Sequence, residues 1–177
     1  RVADLDALGE ELYLREVRSL VYPEMRRIVD EHRRKGHVLV LASSAAPFQV
    51  AAAARDLGIE HVLCTRLDAR AGVLTGKSKG PILWGRAKAD AVRDFCRRKG
   101  IALAQSFFYA DGDEDVALMR LVGNPRPTNP YAALARESES RGWPVQRFAS
   151  RGRPSADAYL RSTLATASAV PVFLGAA

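Results

Sequence analysis

The chain has 177 residues, of which 47% are apolar and 27% charged, and Lys plus Arg (27) exceed Asp plus Glu (20) to give a net charge of +7. That is room for one domain with a real core, and it excludes a disordered or collagen-like chain. Two cysteines, Cys64 and Cys96, are too few for a disulfide framework and sit in apolar or helical contexts that suit reduced thiols.

Residues 3–34 place Leu5, Leu8, Leu12 and Leu14, then Val17, Val21, Met25 and Ile28, near helical spacing. They lack the apolar stretch of a secretory signal, so a cytoplasmic location is the default. Pro23 divides the helix and starts its second piece, which Gly36 ends. Residues 37–42 (HVLVLA) are a short β-branched apolar run bounded by Gly36 and Ser43-Ser44, the pattern of a buried parallel strand. A helix over 47–57 follows, with Pro47 at its start and Gly58 at its end, then a short strand over 59–64. Residues 66–76 read as a hairpin turning at Ala71-Gly72. Beyond a loop over 77–87, a helix over 88–99 is closed by Gly100. A second buried strand, 106–110 (SFFYA), runs into the acidic loop Asp111-Gly112-Asp113-Glu114-Asp115. A short helix over 116–122, a strand over 126–128, a helix over 131–141 and a last strand over 145–148 complete the pattern. Strands alternating with helices predict an α/β domain with a mostly parallel sheet, whose chemistry belongs in loops at the carboxyl ends of its strands.

Residues 150–154 (SRGRP) read as a basic linker at which this domain ends. The uncharged run over 163–177 is shorter than the roughly 20 apolar residues that a membrane span needs. It reads either as the start of a span or as a buried C-terminal helix. The positive charge comes with no zinc-ligand spacing and no aromatic RNA-binding pattern, so no nucleic-acid partner is expected. The loose cluster Arg147, Arg151, Arg153 and Arg161 stands beside the apolar run, where it suits an anionic lipid surface and a membrane contact.

Three features fall at strand ends or helix starts. Ser43 directly follows the first strand, where its hydroxyl and the N-terminus of the next helix can bind an anionic oxygen; Ser44 stands beside it. Lys88 opens a helix against the helix dipole, a placement that invites an anion. Asp111 and Asp115, four apart in a Gly-turned loop, are hard oxygen donors suited to Mg²⁺, which takes one or two carboxylates with water and substrate phosphate. The four carboxylates of that loop repel one another unless a cation is present. Each feature alone has a plainer reading: a turn serine, a surface lysine, an acidic helix cap.

Taken in this order, strand-Ser, helix-Lys and strand-DGxxD, the chain resembles the haloacid dehalogenase-like hydrolases, in their phosphoserine phosphatase-like branch. Ser43 matches that family's second motif, Lys88 its third, and YADGDED (109–115) its fourth, with the resemblance running over 22–148. FQVAAAARDLGI, VGNPRPTNP and GWPVQRF look like actinobacterial members in which this domain is fused to a 1-acylglycerol-3-phosphate acyltransferase. The resemblance implies a Rossmann-like three-layer α/β/α core over 35–149. Residues 1–34 would be the remnant of a helical cap and its return helix, and 150–177 the linker and the start of an apolar segment. It implies a phosphomonoester substrate and phosphoryl transfer to an aspartate followed by hydrolysis. Ser43 and Ser44 would bind the phosphoryl group, Lys88 would neutralise it, Asp111 would ligate Mg²⁺, and Asp115 would support the metal water or Lys88.

Two departures stand out. The family's first motif, DxDxT at the end of a buried strand, supplies the nucleophilic aspartate. Here Asp4-Leu5-Asp6 has the spelling D-x-D but neither a preceding strand nor the threonine, and its leucine spacing is helical. The expectation is a first motif upstream of Arg1, leaving this segment inactive alone. Glu114 stands where the phosphatases often carry asparagine, and a carboxylate there repels phosphate, which counts against phosphoserine as substrate. The leading expectation is a Mg²⁺-dependent phosphomonoester hydrolase; the alternative is a non-catalytic module supporting a fused lipid acyltransferase.

Overall fold

The computed structural model describes residues 1–148 and the backbone of 172–175. Helix α1 (Val2–Leu12) continues through single π- and 3₁₀-helical turns to Leu20, and α2 is Pro23–Arg34. Strand β1 (Val38–Ala42), helix α3 (Pro47–Asp56) and strand β2 (His61–Leu63) follow. The hairpin is β3 (Leu67–Arg70) and β4 (Val73–Ser78), turning through Ala71 and Gly72, both at positive φ. Then come α4 (Arg86–Lys99), β5 (Phe107–Ala110), α5 (Val116–Met119), β6 (Asn124–Pro127), α6 (Ala132–Arg141) and β7 (Val172–Gly175).

The main sheet has the order β2-β1-β7-β5-β6. β1 pairs parallel with β2, and β5 parallel with β6; β7 runs antiparallel between β1 and β5. Because side chains alternate across a strand, β1 and β5 each feed two cores. Leu39, Leu41 and Tyr109 pack with Tyr13, Met25 and Val29 and with the alanine face of α3. Val40, Ala42, Phe108 and Ala110 pack with Val92, Phe95, Leu118, Met119 and Leu134 of α4, α5 and α6. Helices α1–α3 therefore cover one face and α4–α6 the other, as in the expected three-layer α/β/α arrangement. Helices of residues 1–34 contribute directly to that first layer. The α1–α3 seam is close: a Cβ on Gly9 would stand 1.9 Å from the Phe48 carbonyl oxygen.

Two expectations need correction. Residues 145–148 form no strand; a single parallel bridge joins Gln146 to Thr128. The N–H groups of Asn124 and Thr128 point inward to Ser106 and Ala110, so the outward positions of β6 are Pro125 and Pro127, which have no N–H to offer another strand. Asn129 instead holds Phe148 by its side-chain amide, accepting from the Phe148 N–H at 3.1 Å. The second correction concerns the apolar run over 163–177, whose described part, β7, is a strand in the middle of the sheet rather than part of a helix. A short uninterrupted apolar run carries no period by which to tell the two apart. The 150–154 linker and Arg151, Arg153 and Arg161 lie outside the described residues. Among the described residues no helix is long and apolar enough to cross a membrane.

Candidate functional site

Because β7 is antiparallel to both β1 and β5, those two strands run in the same direction and their carboxyl ends lie at one edge of the sheet. Ser43 leaves β1 there and Asp111 leaves β5. Strands in a sheet are about 4.8 Å apart, so with β7 between them the two exits stand roughly two spacings apart.

The Ser43 N–H donates to Leu63 at 2.8 Å, extending the β1–β2 ladder by one residue. Its Oγ accepts from the Ala45 N–H at 3.2 Å, which leaves the hydroxyl proton to donate elsewhere. The Ser44 carbonyl accepts from Thr65 Oγ1 at 2.6 Å, and Thr65 Oγ1 in turn accepts from the Leu83 N–H at 3.0 Å. Thr65 is buried and ties the serine turn to the loop before α4. Sequence reasoning missed it, and no local signal marks a single threonine after a strand.

Lys88 stands on the first turn of α4, yet it is only 3% exposed, and its Nζ donates to Asp115 Oδ1 at 2.6 Å. A buried charge pair survives because each ion would be costly alone. The plainer reading of Lys88 as a solvated surface lysine is thereby overturned. Burial pushes the Asp115 carboxyl above its ordinary range, while Lys88 pulls it back down.

Two of the four carboxylates of the acidic loop reach partners on neighbouring helices. Asp113 accepts from the Leu134 N–H at 2.8 Å and so satisfies a free amide in the first turn of α6. Asp115 holds Lys88. Glu114 folds back over Gly112, where a Cβ would stand 2.5 Å from its Oε2. Asp111 is pushed up to about 7, first by burial and then by the charges of Asp115 and Glu114, against the pull of its own backbone amide and of Lys88. Such a carboxyl gains most from a nearby cation.

Among the described residues no three acidic, histidine or cysteine side chains form a ready cage for a metal ion. Mg²⁺ does not require one, since it keeps several waters and takes one or two carboxylates. Asp111 suits that role. Asp115, with an oxygen already committed to Lys88, suits the positioning of that lysine. Asp4 and Asp6 are exposed on helix α1, so this D-x-D does not end a strand. Among the described residues β5, which leads into Asp111, is the only strand of the main sheet followed directly by an aspartate.

The comparisons with known proteins bear on the family and the fold. The haloacid dehalogenase-like hydrolase family matches residues 1–120. Phosphoserine phosphatase SerB1 of Mycobacterium tuberculosis is 36% identical over 148 residues, covering 83% of this chain and 48% of that protein. The chain spans about half the length of the curated relatives it matches. A Bordetella pertussis protein of unknown function superposes with a TM-score of 0.75 at 28% identity, over 81% of this chain and 66% of that one. A probable phosphoserine phosphatase from Vibrio cholerae shares the fold alone, with a TM-score of 0.61 at 20% identity over 78% of this chain and 42% of that one. The strand-Ser, helix-Lys and strand-DGxxD order, the layered fold that brings those strand ends to one edge, and the match over most of the length have one explanation: the chain belongs to the haloacid dehalogenase-like hydrolase family.

Proposed function

We propose that this domain supplies the phosphate-binding and metal-binding part of a Mg²⁺-dependent phosphomonoester hydrolase. The observation that carries the reading is the buried Lys88–Asp115 pair beside Asp111, at the edge of the sheet where Ser43 also emerges. A lysine enclosed at a sheet's carboxyl edge is placed to meet an anion, and phosphate is the anion that SerB1's name gives for the relative.

In this reading Ser43 donates its hydroxyl proton to a phosphoryl oxygen, with Ser44 beside it. Lys88 keeps one proton on Asp115 and turns the others to the phosphoryl group, so that developing charge meets a preset cation. Asp111 holds Mg²⁺, which when bound withdraws charge from the phosphoryl oxygens. The nucleophile would come from a strand seated between β1 and β5, the position that β7 holds here, since that position alone lies between the Ser43 and Asp111 exits. That strand would lie outside the present chain, which alone would then be inactive.

The test is hydrolysis by the full-length protein. Asp111→Asn and Lys88→Met are each expected to lower kcat by at least about 100-fold, the scale of losing one preset electrostatic contact. Chelation should abolish turnover and Mg²⁺ restore it. Undiminished turnover in the folded Asp111→Asn variant would refute the reading.

A further inference from the structure

The loop before α4 carries two large apolar side chains in the open. Ile82 is 59% exposed and Trp84 57%, while Leu83 between them is buried. The alternation is enforced at both ends. Leu83 donates its N–H to Thr65, which donates to the Ser44 carbonyl, so one end is pinned to the serine turn. At the other end Gly85, at φ +53, passes the acidic loop; a Cβ there would stand 3.9 Å from the Glu114 carbonyl oxygen. Lys88 follows within one turn of helix. Residues 82–84 thus border the site from Ser44 to Glu114.

A phosphomonoester whose phosphate sits between Ser43 and Lys88 must lead its organic group out past this border. Solvent-exposed Ile and Trp gain by covering apolar surface. A charged or strongly polar organic group has no apolar surface for them to cover.

We infer that Ile82 and Trp84 form a specificity rim that selects phosphomonoesters with an apolar organic group over polar ones such as phosphoserine. This rests on the phosphatase reading above and deepens it by naming the substrate class.

The test uses the full-length protein and a series of n-alkylphosphonates, from methyl to hexyl, as competitive inhibitors of its hydrolysis. A methylene fully removed from water contributes a factor of up to about four, and an open rim about half that factor, so Ki should fall roughly twofold per added carbon. The Ile82→Ala/Trp84→Ala double variant should lose this dependence, and Trp84→Phe should retain it. Phosphoserine should show a higher KM than hexyl phosphate. A Ki independent of chain length, or a dependence unchanged in the double variant, overturns the rim while leaving the hydrolase reading intact. If the double variant instead loses stability and kcat together, another part of the protein covers the rim, and the inference falls. If no phosphomonoester is hydrolysed at all, both readings fall.

Discussion

Lys88 and Asp115 show how a single residue changes meaning when its surroundings appear. In sequence Lys88 is a lysine at a helix start. In the fold it is enclosed, and its partner is 27 positions away. Removing one member of such a pair strands the other charge, so Lys88→Met is expected to destabilise the chain by about 3–5 kcal/mol in urea unfolding. A Lys88→Met/Asp115→Leu double variant should recover most of that loss, since replacing both charges with apolar groups is often neutral. A single-variant cost of only about 0.2–1 kcal/mol, as for exposed pairs, would show that water reaches the pair. The acidic loop carries the same lesson. Four carboxylates in five positions read as one cluster, but Asp113 faces α6 and Asp115 faces α4. Spacing shows that the acids are near one another, not which distant element each one meets.

At the scale of elements, α2 is fastened to β5 by a buried polar chain. His32 Nδ1 shares a hydrogen bond with His37 Nδ1 at 2.7 Å, and its Nε2 shares one with the Tyr109 hydroxyl at 3.0 Å. Burial, followed by the charges of His37 and Lys35, holds His32 down to about 4. Its unfolded value is about 6.5, so its contribution is complete above that pH and is lost as pH falls towards 4. The loss is at most roughly 3 kcal/mol. A His32→Phe variant should therefore show a shallower fall in stability between those values, by up to one proton per molecule; an unchanged slope would place the titration elsewhere. The strands that carry these contacts were legible because HVLVLA and SFFYA are dense apolar runs between turn residues. Residues 145–148 misled because their pattern suits a strand while their only available neighbour, β6, closes its outer edge with prolines. β7 was illegible because an apolar run does not say which slot it fills.

Across the whole molecule the excess positive charge is unevenly neutralised. The helical layer of α1–α3 pairs Arg15, Arg18, Arg26, Arg33, Lys35 and Arg55 with nearby acids. Around the hairpin and the loop after it, Arg66, Arg70, Lys77, Lys79 and Arg86 are exposed and make no ion pair among the described residues. This basic segment adjoins the proposed phosphate site, and exposed charge of one sign draws in an oppositely charged ligand. Raising salt from about 0.1 M to about 1 M shortens the screening length from ~10 Å to ~3 Å and, on the proposed hydrolase reading, should lower kcat/KM of the full-length protein several-fold. Lys77→Glu/Lys79→Glu should flatten that dependence with kcat unchanged, and an identical salt profile would show that these lysines do not steer the substrate. The sequence by itself determined the alternation of strands and helices, and the serine, lysine and acidic loop in family order, because apolar periodicity and short motifs are local properties of the chain. Only the tertiary structure decided that Lys88 is buried against Asp115, that Thr65 joins Ser44 to the loop before α4, and that an antiparallel strand fills the centre of the sheet. Those depend on which distant segments share an edge or a face, and a linear spacing does not encode that.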